Sequence, residues 1–142
     1  MQWSSGPNGG FSPLHVETWL PVNPNYAEGI NVKDQQDNPA SLLNYYKRLI
    51  RVRKSTPALL EGEYTPLAVR SKEYFAFLRI TGEQTVLVVL NYSDQRQELK
   101  LKLPGFKAAR VLFSSSGRSK ADETLTSLTV GAFEVLIAEL KP

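Results

Sequence analysis

Between residues 42 and 54, apolar side chains recur at Leu42, Leu43, Tyr45, Tyr46, Leu49, Ile50 and Val52, with Lys47, Arg48, Arg51 and Lys54 between them. At about 100° per residue the apolar set covers one half of a helical wheel, and these four cations gather on the other. The spacing predicts an amphipathic helix with Asn38 as its cap and Pro39 at its first position, ended near Lys54 by the approach of Pro57. Arg53 breaks the pattern by projecting from the apolar half, where an unpaired guanidinium is costly. It is expected to be a buried or half-buried structural arginine, met by a carboxylate or by carbonyls.

From Glu61 the period changes. Short runs rich in β-branched and aromatic residues predict strands over 64–69, 74–80, 85–92, 97–103, 109–114, 124–129 and 133–140. Leu99, Leu101 and Leu103 alternate with Lys100 and Lys102, as in a strand with one wet face. Gly82, the segment 91–94, Pro104-Gly105 and the segment 114–117 punctuate the runs. About seven short strands in about 80 residues imply an antiparallel β-sandwich.

The first 38 residues show neither period. Gly6-Pro7-Asn8-Gly9-Gly10, Ser12-Pro13 and Pro21-Val22-Asn23-Pro24-Asn25 predict an irregular path that nevertheless carries Trp3, Phe11, Trp19 and Tyr26. A loop of that length cannot bury its rings against itself, so it drapes over a support or serves a site. The chain therefore reads as two parts: residues 1–60, a loop and helix, and residues 61–142, a β-domain.

Composition narrows the chemistry more than the fold. With 142 residues, 42% hydrophobic and 22% charged, the chain has the size of one ordinary globular domain with a small appendage. It holds no cysteine and one histidine, His15, so a disulfide framework, a thiolate nucleophile, a histidine-based metal site and a Ser-His-Asp triad are all excluded or very hard to build. No cofactor and no metal are expected. A net charge of +3 spread along the chain is too weak a bias to predict a nucleic-acid partner. Without an apolar run near the roughly 20 residues that cross a bilayer, or a basic-then-apolar leader, no membrane partner is expected and the cytoplasm is the expected location.

No phosphate-binding loop, His-Glu-x-x-His pair or Gly-x-Ser-x-Gly elbow occurs. Glu28, Asp34 and Asp37 are near in sequence, but nothing in their spacing argues for the paired carboxyls of glycoside hydrolysis, and they read as solvated loop charges. Exposed aromatics can stack on sugar faces. Tyr45 and Tyr46, at helical spacing, read as packing; Trp19 and Tyr26, on a loop beside prolines, stay open between the two roles.

Three stretches together resemble family 13 glycoside hydrolases of the α-glucosidase and oligo-1,6-glucosidase group. The first is Met1-Gln2-Trp3-Ser4 with Gly6-Pro7-Asn8-Gly9-Gly10-Phe11, similar to a Thr-Pro-Met-Gln-Trp motif and its Asn-Ala-Gly-Phe continuation, with Gly9 where the family usually has alanine. The second is Trp19-Leu20-Pro21-Val22-Asn23-Pro24-Asn25-Tyr26, followed by Asn31-Val32 and Gln35. The third, Ser41-Leu42-Leu43-Asn44-Tyr45-Tyr46 with Leu49-Ile50 and Arg53-Lys54, is similar to the last barrel helix of these enzymes. Gly131-Ala132-Phe133-Glu134 stands where the family's β-domain has a Pro-Tyr-Glu element.

The resemblance implies a parent with a (β/α)8 barrel that hydrolyses α-glucosidic bonds of oligosaccharides with retention. Its nucleophilic Asp, acid/base Glu and third Asp are expected upstream of Met1, so no catalytic residue falls in this chain, which is expected to be inactive alone. Gln2, Trp3, Trp19, Asn25 and Tyr26 are expected at the rim of the parent's substrate pocket. The missing barrel segment is the expected intramolecular partner, and its absence predicts exposed apolar surface on the first 60 residues, with self-association or loop disorder. The implied fold is a mostly β chain: an antiparallel β-sandwich preceded by an irregular loop and one amphipathic helix left over from the barrel. A trehalose synthase or a sucrose-isomerising enzyme is an alternative parent, and a stand-alone carbohydrate-binding β-sandwich is the competing reading of the chain.

Overall fold

The period-two segments become the strands of the larger of two compact units, Val52–Pro142, and the turn-rich N-terminal stretch makes the other, Met1–Arg51. The computed structural model describes residues 1–67, 71–99, 101–118, 122–125 and 128–142.

In the larger unit six antiparallel strands form one sheet in the order β1-β2-β3-β8-β5-β6. They are β1 (Glu63–Pro66), β2 (Tyr74–Ile80), β3 (Thr85–Asn91), β5 (Ala108–Ser114), β6 (Asp122–Thr124) and β8 (Val135–Lys141). A second, two-stranded sheet pairs β4 (Gln97–Glu98) with β7 (Thr129–Val130). The register sets Ala76 beside Val89, Leu87 beside Ala138 and Ala109 beside Leu140, so alternate residues of four strands share one inward face. Leu99, Leu103, Leu128 and Val130, from in and around the small sheet, close the core against that face. This mostly antiparallel, two-layer arrangement is the expected sandwich.

Several boundaries differ from the sequence pattern. Among the described residues of the run 97–103, the strand pairing covers Gln97 and Glu98, with the Leu99 N–H going on to the Leu128 carbonyl at 2.9 Å, and Leu99 and Leu103 are buried in the core as their alternation requires. The run 124–129 is not one strand: β6 ends at Thr124 and pairs with β5, whereas β7 begins at Thr129 and pairs with β4. Residues 68 and 69 of the first expected strand, Lys100 of the fourth and residues 126 and 127 of the sixth lie outside the described residues.

The helix is α2, Leu42–Lys54. Its cap is Ser41, whose Oγ accepts from the Asn44 N–H at 3.2 Å, rather than Asn38, whose Oδ1 is occupied by the Ala40 N–H at 3.0 Å in a tight turn before Pro39. The N-terminal segment is also less irregular than its composition predicts. It contains 3-10 turns at Pro7–Gly10 and Pro24–Glu28 and a short helix α1, Val32–Gln36, capped by Asn31. Buried Gln35 and Ser41 join α1 to α2: Gln35 Oε1 accepts from the Leu43 N–H at 3.0 Å and the Gln35 carbonyl accepts from Ser41 Oγ at 2.7 Å. No described helix is long and apolar enough to cross a membrane.

A third helix, α3 (Pro57–Glu61), lies on the outer face of the large sheet against β2 and β3. Its Ala58 N–H donates to Gln84 Oε1 at 3.1 Å, its Ala58 carbonyl accepts from Arg79 Nε at 3.3 Å, and Gln84 Nε2 passes on to Glu139 Oε1 at 3.0 Å. Gly62 ends the helix in the tightest setting of any glycine in the chain. A Cβ there would lie 2.4 Å from the Ala58 carbonyl oxygen and 2.9 Å from the Ile80 nitrogen. Gly62→Ala is expected to destabilise the chain by about 2 kcal/mol through overpacking, and an unchanged urea midpoint would show that the helix-to-sheet contact is slack.

Candidate functional site

The N-terminal loop is held from both sides of residues 2–4. The Val32 N–H donates to the Gln2 carbonyl at 2.9 Å and the Lys33 N–H to the Trp3 carbonyl at 3.0 Å, making a parallel bridge between Gln2 and Asn31. On the other side the Trp3 and Ser4 N–H groups both donate to the Gly9 carbonyl, at 2.8 and 3.2 Å. The Gln2 side chain therefore starts from a fixed backbone. Its Nε2 donates to the Asn23 carbonyl at 3.0 Å and to Asn25 Oδ1 at 3.1 Å.

Gly9 stands at φ +64°, and a Cβ on it would fall 3.0 Å from Gln2 Cγ and 3.2 Å from Val22 Cγ1. Glycine at this position thus suits the left-handed backbone and the close seat of Gln2, whatever other sequences place there. Asn31 is fully buried; its Nδ2 donates to the Tyr26 carbonyl at 2.8 Å and to Asp34 Oδ2 at 2.6 Å, and its Oδ1 accepts from the Asp34 N–H at 2.9 Å. One amide thereby caps α1 and holds the Tyr26 end of the loop.

Beside Gln2 opens a groove of about 660 Å³, walled by Phe11, Val16, Glu17, Trp19 and Leu20. Trp19 is 92% exposed. Of the five residues expected together, Gln2 and Trp19 share this groove and Gln2 and Asn25 share a hydrogen bond. Trp3, which is exposed, and Tyr26, half-buried, lie outside both. Among the described residues Glu17 is the one carboxylate in the groove wall. Glu28, Asp34 and Asp37 do not converge on it: Asp34 is held by Asn31, Asp37 lines a separate shallow groove with Lys47 and Arg51, and Glu28 is exposed at the end of a 3-10 turn.

Arg53 is a correction. It is exposed, not buried, because its long stem reaches over the last turn of α2 to place Nη1 2.8 Å from the Leu59 carbonyl. A carbonyl does meet the guanidinium, but at the surface.

A second cluster of charge lies in the β-unit, and sequence reasoning passed it over. Glu134 is 1% exposed. Its Oε1 accepts from Arg118 Nε at 2.7 Å, Ser114 Oγ at 2.6 Å and Ser116 Oγ at 2.8 Å, and its Oε2 from Arg118 Nη2 at 2.7 Å and the Gly131 N–H at 2.6 Å. Arg118 in turn reaches Glu123 at 2.9 Å and donates to the Thr129 carbonyl. Burial alone pushes the Glu134 carboxyl up, but Arg118 first, then Ser114, Gly131 and Ser116, outweigh it and hold it at about 2. Phe133, the residue before it, is exposed at φ +51°, fixed by its N–H to the Ser93 carbonyl at 3.0 Å. The signal for this cluster was the Gly131-Ala132-Phe133-Glu134 element, but its partners lie 3 to 20 residues away along the chain.

Both parts of the chain match known proteins. Residues 1–62 match the family model of the α-amylase catalytic domain, and residues 64–137 that of the maltogenic amylase C-terminal domain. Glucan 1,6-α-glucosidase of Streptococcus dysgalactiae subsp. equisimilis is 43% identical over 87% of this chain and 22% of its own length. Probable oligo-1,6-glucosidase 2 of Bacillus subtilis (strain 168) is 36% identical over 88% of this chain and 22% of its own. The crystal structure of trehalulose synthase from Pseudomonas mesoacidophila MX-45 superposes with a TM-score of 0.82 at 31% identity, over 99% of this chain and 24% of that one. The chain thus spans less than a quarter of the length of these relatives.

Because the folded pKa of Glu134 lies below its unfolded value of 4.5, its contribution is complete above that value and is lost as pH falls toward 2. The contribution is on the order of 3 kcal/mol for a carboxylate this deeply buried. Urea midpoints followed from pH 7 to 2.5 are expected to fall steeply below pH 4.5. In Glu134→Gln they should start lower and fall much less; an acid limb as steep in the variant would place the titrating group elsewhere.

Proposed function

The chain belongs to the α-amylase family, family 13 of the glycoside hydrolases, and from that membership we propose that it serves as the non-catalytic C-terminal part of an enzyme acting on α-glucosidic bonds of oligosaccharides. The observation that carries this reading is the groove beside Gln2. Retaining glycoside hydrolysis takes two carboxyl groups about 5 to 5.5 Å apart, and this groove offers Glu17 alone among the described residues. What the loop does offer is shape: Gln2 pinned to Asn23 and Asn25, with Trp19 standing free beside it.

In this reading Gln2, Trp3, Trp19, Asn25 and Tyr26 contribute to the rim of a pocket whose acids come from the rest of the catalytic domain, and the β-unit stabilises that domain. The relatives include synthases of isomaltulose and trehalulose as well as glucosidases, so the proposal is confined to the α-glucosidic bond and leaves the fate of the glucosyl group to the acids and their surroundings. The chain alone is expected to release no nitrophenol from 4-nitrophenyl α-glucoside above the blank rate. Turnover that disappears in Glu17→Gln would instead make it a hydrolase in its own right.

Helix α2 supports the same reading. All 13 of its residues are described and none is buried. Leu42, Tyr46 and Ile50, spaced four apart, form one exposed apolar ridge. A ridge of that kind buries itself against a barrel when one is present and against another copy when it is not. Sedimentation velocity is expected to show concentration-dependent association of the 142-residue chain, weakened in Ile50→Glu. A monodisperse monomer throughout would leave α2 without the partner proposed for it.

A further inference from the structure

The outer face of the large sheet is written for burial. A sheet with one wet face alternates apolar and polar residues, but the outward positions of β2 are Phe75, Phe77 and Arg79, and those of β3 are Val86, Val88 and Leu90. Five of these six positions are apolar. Beside α3 the face is covered: Val86 is fully buried, as is Ala58 of the helix. Away from α3 the face is less covered among the described residues. Phe75 is 44% exposed and Tyr64, on β1 beyond Phe77, is 47% exposed. The register puts Phe75 beside Leu90 and Tyr64 beside Arg79, and the rings form a contiguous strip, with Tyr64 and Phe77 centroids 5.2 Å apart and Phe75 and Phe77 centroids 5.6 Å apart.

We propose that the strip Tyr64–Phe77–Phe75, with Leu90, is the seat on which the β-unit receives the remainder of the catalytic domain, as an apolar helix face laid alongside α3. The inference rests on the functional reading above and locates the contact it requires. Two observations identify the occupant. First, the match to the catalytic-domain model runs to residue 62, so α3 is the last element of that domain, and it already occupies this face. A further helix of the same domain extends a layer that has begun. Second, the curated relatives carry more than three quarters of their length outside the part this chain spans, which is ample material for that layer.

The chemistry separates this occupant from a sugar. A stacking platform for a glucan presents its rings flat and apart, with hydrogen-bonding groups at its edges. Here the rings tilt 44° and 41° to one another in mutual contact, and the adjoining polar group, Arg79, has its Nε engaged on the Ala58 carbonyl. Such an apolar strip suits an apolar protein surface.

A thiol reporter tests this, because the chain has no cysteine of its own. Phe75→Cys is made in the free chain and in a fusion that joins a cysteine-free catalytic domain of the streptococcal glucan 1,6-α-glucosidase to this chain in place of its own aligned segment. Lys102→Cys, at an exposed position on the other layer, is the control. The Phe75→Cys thiol is expected to react with a maleimide about tenfold or more slowly in the fusion than in the free chain, while the control reacts equally in both. If the fusion hydrolyses isomaltose but the Phe75→Cys thiol is unprotected, the strip is not the seat and the wider functional reading stands. If the fusion with unsubstituted chain neither folds nor acts, the wider reading falls and the inference with it. Retention of the free chain in a dextran gel, lost in Phe75→Asp, would give the strip to a glucan and overturn the proposal. Protection of the thiol on concentrating the free chain would give it to a second copy and overturn it equally.

Discussion

One buried carboxylate organises the β-unit. Glu134 sits at the entry to β8, the strand between β3 and β5, and its two oxygens gather the end of β5 through Ser114, the following turn through Ser116, the segment leading to β6 through Arg118, and the turn after β7 through the Gly131 N–H. One stretch of chain 16 to 20 residues away and the turn that Glu134 itself closes meet on this one side chain. Removing such a charge from water costs several kcal/mol, and only this full complement of donors recovers it. Losing the carboxylate leaves Arg118 with Glu123 and the Thr129 carbonyl, and losing Arg118 leaves the buried carboxylate with neutral donors and no countercharge.

The same turn explains a local oddity. Gly131 and Glu134 close on each other, the Glu134 N–H donating to the Gly131 carbonyl at 3.2 Å, and Asn91 grips the turn from beneath with Nδ2 at 2.6 Å from that same carbonyl. Phe133 is left in the left-handed region, a conformation costing about 1 to 2 kcal/mol for a residue with a Cβ. Its ring is left exposed while the next residue, Glu134, is bound inward.

On the opposite side of the sheet a second polar thread, Ala58 to Gln84 to Glu139, fixes α3. Arg110 at 2.5 Å and Lys141 at 3.0 Å neutralise Glu139. The junction after α2 is tightened by Thr56, whose Oγ1 donates to the Val52 carbonyl at 2.7 Å, and by Arg53 on Leu59. The β-unit thus holds the residues that end the catalytic-domain match by hydrogen bonds to backbone, which depend on geometry more than on side-chain identity. In the N-terminal unit the logic is similar: Asn31, Gln2 and Gly9 set the loop's shape, while its rings, Trp19 above all, face outward.

The sequence by itself determined the elements whose signal is periodic and local. The strands at 74–80, 85–91 and 108–114, each within a residue of its pattern, and the helix ending at Lys54 follow from which residues must leave water together, and that is a property of neighbours two to four apart. The inward faces of Leu99 and Leu103 were legible for the same reason, as was the family through its motifs. Tertiary structure alone decided what depends on distant partners. Ser41 rather than Asn38 caps α2 because a turn had already taken Asn38; the 124–129 run divides between two sheets; Arg53 stays at the surface on a carbonyl. Glu134 looked like any strand-edge acid until Ser114, Ser116, Arg118 and Gly131 were brought round it. A hydrogen bond to a residue 20 positions away leaves no period in the chain, so folding, not pattern, revealed the group on which the β-unit closes.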